Sequence, residues 1–187
     1  VSWIDYSIIS SDSDKIIKVA KKSNLECIFK RPENISGDRI SDHSVLIHAL
    51  KAAEKLKKKK IDIILLVQPT SPLRKVIHIK NVIKKIVDQK LDSVWTVSKA
   101  DLKFHPLKQL ILKKNILSHY NKKGGEIVAR QQLNNTYYRN GVVYAVTREL
   151  ILKNKNLISN KSSGYLINTP QISIDTVKDL KLASQLM

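Results

Sequence analysis

Cysteine is nearly absent from this 187-residue chain: Cys27 stands alone. That excludes an internal disulfide and a multi-cysteine metal centre, and it fits a reducing compartment. Its neighbours Ile28 and Phe29 suit a structural thiol better than a nucleophile. Glycine and proline are scarce, five of each, which leaves no room for a long flexible low-complexity tract. Long apolar runs are missing too. The stretch Ile63 to Val67 is far short of the roughly 20 residues a membrane-spanning helix needs. The opening VSWIDYSIIS has neither a basic leader nor a small-residue cleavage pattern, so the expected location is cytoplasmic. Arginine is also rare. Of 34 basic residues only six are Arg (Arg31, Arg39, Arg74, Arg130, Arg139, Arg148), and the rest are Lys scattered along the chain. The formal net charge of +18 raises the alternative of a nucleic-acid-binding module. Readers of base edges favour the two-pronged Arg fork, however, so scattered Lys reads better as compositional bias. The run Lys57 to Lys60 falls where a helix should end, and cations there meet the negative end of the helix dipole.

What is present is a 42% hydrophobic content and a regular alternation of short strand-like and helical segments. Tyr6 to Ser10 reads as a strand, followed by a polar turn in which Asp12 or Ser13 caps a helix carrying Ile16, Ile17, Val19 and Ala20. A strand near Glu26 to Phe29 and a loop from Arg31 to Ile40 lead to a helix over about 41–59, with Val45, Ala49, Ala52 and Leu56 at helical spacing. Ile61 to Val67 reads as a central strand covered on both faces. Helix 76–87, strand 92–98, strand 141–147, helix 148–153 and a closing helix 176–187 follow, the last with Leu180, Ala183 and Leu186 or Met187 inward. Between them, 102–135 breaks into short pieces, a small irregular β arm or hairpin. This order predicts an α/β protein: one three-layer domain over 1–187, with a mostly parallel, doubly wound sheet.

The most informative segment directly follows the Ile61–Val67 strand: Leu65-Leu66-Val67-Gln68-Pro69-Thr70-Ser71-Pro72-Leu73-Arg74. Ligands of open α/β sheets collect at the carboxyl ends of strands. Two prolines stiffen this loop, and Gln68, Thr70 and Ser71 offer donors and acceptors. A turn followed by a Ser cap would look much the same. The string is nevertheless similar to the LLQPTSPLR motif of the acylneuraminate cytidylyltransferase family. YSIISSDSD at 6–14, Phe29-Lys30-Arg31-Pro32-Glu33, Ser41 with His48-Ala49-Leu50, Arg130-Gln131, Tyr138-Arg139-Asn140-Gly141-Val142-Val143-Tyr144 and Ile174-Asp175-Thr176 resemble that family's other motifs, in the same order.

The resemblance implies a Rossmann-like nucleotidyltransferase fold and transfer of CMP from CTP to a sialic-type sugar acid with Mg²⁺, in a homodimer contacting through the arm. It assigns Arg31 and Ser41 to the cytosine, and Gln68, Pro69, Thr70 and Ser71 to the nucleotide, chiefly its ribose. Arg130, Gln131, Asn140 and Tyr144 fall to the sugar acid, whose carboxylate suits an Arg partner. Asp175 becomes the metal ligand and, with Arg130, a catalytic residue, although an N-cap or near-cap role would also account for it. Arg130 would otherwise be a surface charge and Tyr144 a core aromatic. Two departures matter. The family's paired carboxylates reduce here to Ser173 and Asp175. The family's N-terminal strand and basic A-R-x-G-S-K phosphate loop have no counterpart, so the chain reads as truncated, with a catalytically impaired fragment as the alternative.

Overall fold

The computed structural model describes residues 2–187. Helix α1 (Asp14–Lys22) starts where the Ser13 hydroxyl accepts the Ile16 N–H at 3.5 Å. Asp14 occupies its first turn and Lys21 and Lys22 its last, both favourable to the dipole. Helix α2 (Asp42–Lys57) is capped by Ser41, which takes the Ser44 N–H at 3.2 Å. It ends on Lys58 in the left-handed region, φ 50°. After β1 (Ile63–Leu66) come α3 (Val76–Asp88) and β2 (Ser93–Lys99). The hairpin β3 (Leu110–Lys113) and β4 (Ile116–His119) turns through Lys114 and Asn115, both at positive φ, the geometry of a two-residue hairpin turn. β5 (Tyr137–Thr147), α4 (Arg148–Lys153), β6 (Ser162–Leu166) and α5 (Val177–Leu186) complete the order.

The main sheet has the order β1-β5-β2-β6. β5 runs antiparallel to β1, with Ile63 opposite Thr147 and Leu66 opposite Tyr144. The flanking bonds Thr147 N–H to Asp92 C=O and Ala100 N–H to Thr136 C=O put β5 antiparallel to β2 as well. Asp92 N–H to Lys161 C=O and Ile167 N–H to Val97 C=O make β6 parallel to β2. β1, β2 and β6 thus share one direction, as the α/β pattern predicts, and β5 alone is reversed.

By compactness the chain divides into two units. The first comprises Val1–Pro69, Arg74–Trp95 and Val142–Ser163. Its core joins Leu46 and Leu50 of α2, Val146 of β5, Leu150 and Ile151 of α4, and Leu157, with Ile47, Ile61, Ile64, Leu66 and Trp95 packed against them. Glu54 of α2 ties this core to the approach to β1 and to α4. Its carboxylate accepts the Arg148 guanidinium at 2.7 and 3.2 Å and the Ile61 N–H at 3.0 Å. The second unit comprises Thr70–Leu73, Thr96–Gly141 and Gly164–Met187. There a short 3₁₀ turn at Lys122–Glu126 closes on the hairpin. A Cβ at Gly124 would lie 2.5 Å from the Leu107 carbonyl oxygen and 2.8 Å from His119 Nδ1, so only glycine fits.

Several expectations change. The stretches 6–10 and 26–29 form no ladder, only a parallel bridge Ile8↔Glu26, because the chain turns at Ser11, whose hydroxyl takes the Ser13 N–H. β1 is half-buried rather than covered on both faces, since it pairs on one side only. In α2 the buried residues are Leu46, Leu50 and Ala53, one position on from the expected stripe; Leu56 is exposed. The apolar arc is wide enough for either stripe, and packing selects the larger leucines. In α5 only Ala183 is buried, while Leu180, Leu186 and Met187 are exposed, because the helix meets its unit through one small side chain.

Candidate active site

In the first unit, the loop leaving β1 is held at both ends by one side chain. Arg74 Nε donates to the Val142 carbonyl at 2.6 Å, and a terminal guanidinium nitrogen donates to the Gln68 carbonyl. Burial pushes the Arg74 pKa down, though a guanidinium stays protonated across the physiological range. Arg31 is equally constrained. Its backbone N–H reaches Ser11 O at 2.9 Å, its Nε the Ser36 hydroxyl at 3.2 Å, and its terminal nitrogen the Asp12 carboxylate at 3.3 Å. The Ser36 hydroxyl donates onward to Pro32 O at 2.8 Å, so the turn after Ser10 and the Pro32 loop meet at this guanidinium. Ser41 spends its hydroxyl on the α2 cap. Tyr144 is 2% exposed, its ring stacked on Trp95 at 4.6 Å. The structure therefore places Tyr144 in the core. Ser10 Oγ, His48 Nδ1 and Trp95 Nε1 are buried without a hydrogen-bond partner, an arrangement that costs free energy until some group completes it.

The second unit brings three of the expected segments together. The Thr70 carbonyl accepts the Ile174 N–H at 2.9 Å. Buried Ser71 donates its hydroxyl to the Asn140 carbonyl at 3.3 Å, and the Asn140 amide nitrogen donates to Ser98 Oγ at 3.0 Å. Gly141 at φ 74° interrupts the regular alternation of β5 beside Asn140, a local kink of the kind that re-aims a neighbouring side chain. Arg130 and Gln131 stand exposed on a 3₁₀ turn that Gln132 stiffens, its side-chain oxygen accepting the Val128 and Ala129 N–H groups at 2.8 and 2.7 Å. Thr176, not Asp175, caps α5. Asp179 Oδ2 accepts the Thr176 N–H, the Thr176 hydroxyl and the Asp175 N–H at 2.7, 2.8 and 3.2 Å, and these bonds, led by the hydroxyl's, hold its pKa below the usual value.

Asp175 is left exposed with its carboxylate outside that cap. Among the described residues no group of three or more His, Cys, Asp or Glu forms a metal cage. One carboxylate with the Ser173 hydroxyl two residues away fits Mg²⁺ only in its commonest mode, where substrate phosphates and water supply the other oxygens. Ser98 and Arg74 were not expected from the sequence as site residues. Asn140, the partner of Ser98, and Val142, one partner of Arg74, are remote in the chain, and only the stiffness of the Pro69–Pro72 loop hinted that something must hold it. An open cleft of about 340 Å³ lined by Glu54, Lys58, Lys59, Lys60 and Arg148 lies at the amino end of β1 and shares no residue with these sets.

The profile of a family described as Cytidylyltransferase matches residues 2–182. The chain is 29% identical over 187 residues to the CMP-N,N'-diacetyllegionaminic acid synthase of Legionella pneumophila, spanning 96% of this chain and 77% of that protein. It is 24% identical over 181 residues to the post-translational flagellin modification protein B of Campylobacter coli, spanning 96% and 76%. The match to the N-acylneuraminate cytidylyltransferase of Streptococcus agalactiae serotype III, at 24% over 180 residues, spans 91% of this chain but 40% of that protein. Among solved structures, the CMP:2-keto-3-deoxy-manno-octonic acid synthetase complexed with CTP aligns with 100% of this chain and 82% of its own, at a TM-score of 0.65 and 12% identity, which shows a shared fold.

Proposed function

The chain belongs to the cytidylyltransferase family, and from that membership we propose that it transfers CMP from CTP to a sialic-type sugar acid. The anomeric hydroxyl attacks the α-phosphorus; the new P–O bond forms as the bond to pyrophosphate breaks, and the hydroxyl proton passes to solvent. No covalent enzyme intermediate is needed, so the work of the protein is positioning and charge neutralisation. Arg31, held by Asp12 and Ser36, and the start of α2 at Ser41 would meet the cytosine. Gln68, Pro69, Thr70 and Ser71 would hold the ribose. Arg130 would pair with the acid's carboxylate, with Gln131 and Asn140 binding its polar groups. Tyr144, stacked in the core, would support β5 next to that set rather than touch the acid. Asp175 would hold Mg²⁺, which neutralises triphosphate charge when bound.

The observation that carries this reading is the Gln68–Ser71 loop at the carboxyl end of β1, with Thr70 hydrogen-bonded to the segment that carries Asp175. Pyrophosphate release is the test, with CTP, ATP, GTP or UTP against N-acetylneuraminate, N,N'-diacetyllegionaminate and 2-keto-3-deoxy-manno-octonate. It is run on this chain and on a version extended by any upstream coding sequence. Turnover with CTP and at least one of the acids, and with no other nucleotide, is expected; absence of turnover with every acid in both versions would sink the reading.

Two finer points belong to the same proposal. The hairpin β3–β4 exposes Leu110, Ile111, Leu112, Ile116 and Leu117, apolar surface suited to burial against a second copy of the chain in a homodimer. Among the described residues no helix is long and apolar enough to cross a membrane, and the Cys27 thiol donates to the Phe29 carbonyl at 3.3 Å as a free structural thiol, which supports a reducing, cytoplasmic setting.

A further inference from the structure

We infer that Arg74 is a positioning residue that sets the shape of the nucleotide loop before any substrate arrives. The inference rests on the reading of Gln68 to Ser71 as the ribose contact. Within that loop Pro69 and Pro72 lock their own φ angles, and the residue before each proline is pushed to extended backbone. Gln68 precedes Pro69, so its ψ is narrowed to the extended range but not fixed within it, and ψ is what aims its carbonyl. The Arg74 guanidinium holds that carbonyl directly.

The other prong of the fork is anchored firmly. Val142, whose carbonyl accepts Nε at 2.6 Å, opens a run to Val146 in which every residue is 2% exposed or less. Among the described residues no ion pair engages Arg74, so its charge is spent on two backbone carbonyls. Bonds from a charged donor are roughly twice as strong as neutral ones. A planar guanidinium with donors in fixed directions can hold two carbonyls at once; a lysine ammonium in the same place keeps the charge and loses the fork. Burial also disfavours the charged form here, so a half-buried cation without an acid is a cost that the two bonds must offset.

The test separates geometry from charge and from function. Hydrogen exchange is followed without nucleotide in wild type, Arg74→Lys and Arg74→Ala, and steady-state kinetics are measured with CTP and the accepted sugar acid. In both variants the amides of Gln68, Thr70, Ser71 and Leu73 are expected to exchange about tenfold faster or more, while those of Val143 to Val146 stay protected. The KM for CTP is expected to rise on the order of tenfold to a hundredfold with a smaller change in kcat. Should Arg74→Ala fail to fold, Arg74→Lys decides. Unchanged loop exchange, or faster loop exchange with an unchanged KM for CTP, overturns the inference. So does loosening that spreads through Val143 to Val146, because Arg74 would then be a general structural residue. If the wild type turns over no CTP, the functional reading falls, and the exchange result alone decides whether Arg74 shapes the loop.

Discussion

Single residues carry the sharpest energetic statements. Glu54 and Arg148 have side chains only 18% and 29% exposed, and the two-pronged bond between them is joined by the Ile61 N–H. The Arg148 hydrogen bond, then that N–H, hold the Glu54 carboxyl below its ordinary value of 4.5. Glu54→Gln keeps the shape and removes the charge; it is expected to lower unfolding free energy by about 1–2 kcal/mol in denaturant titrations at pH 7. A depressed folded pKa means the contribution is full above the unfolded value and fades as pH falls through the folded one, so the gap between wild type and variant should narrow below about pH 4.5. At the proposed sugar site, Arg130→Ala should raise the KM for the sugar acid on the order of tenfold or more and leave the KM for CTP nearly unchanged, since one charge-assisted carboxylate contact is lost. Motif register made Thr70, Ser71, Asn140 and Asp175 legible as residues to examine. It could not show that Asn140 spends its amide nitrogen on Ser98, nor that Thr176 rather than Asp175 caps α5 with Asp179 completing the capping box, because both outcomes depend on where remote or competing groups settle.

At the scale of elements, the scarcity of glycine has a visible cost. α2 ends on Lys58 at φ 50°, and Lys90, just past α3, sits at φ 49°, where a β-carbon crowds the following carbonyl. Lys58→Gly and Lys90→Gly should each stabilise the protein by about 0.5–1 kcal/mol, read as a rise in Tm of about 1–3 °C. The α5 cap gives the opposite sign of experiment. Ionised Asp179 is the stronger acceptor for its three donors, so acidification through its lowered pKa should reduce the protection of the Thr176 to Asp179 amides relative to their intrinsic exchange rates, and Asp179→Asn should remove that pH-dependent loss of protection. Long periodic segments such as α3 were readable because their apolar spacing repeats over several turns. β6 was not, because Ser162-Ser163-Gly164-Tyr165-Leu166 has no apolar run, and its glycine is there for close approach: a Cβ on Gly164 would meet Val97 Cγ2 at 3.2 Å.

For the molecule as a whole, the hairpin is the place to test assembly. Leu112→Asp with Ile116→Asp should turn a homodimer into a monomer by light scattering at micromolar concentration; a wild type that is already monomeric would remove the dimer from the proposal. The α/β architecture was legible in the order of segments, whereas the hand of each strand was not, since periodicity is blind to direction. That direction bears on how the chain is made. β5, the one reversed strand, joins β1 to β2, and Ile63 cannot meet Thr147 until the chain between them has been synthesised. A nascent chain emerging at about 5–20 residues per second therefore exposes β1 and β2 unpaired for some seconds, the interval in which binding by a chaperone, or aggregation, would compete with folding.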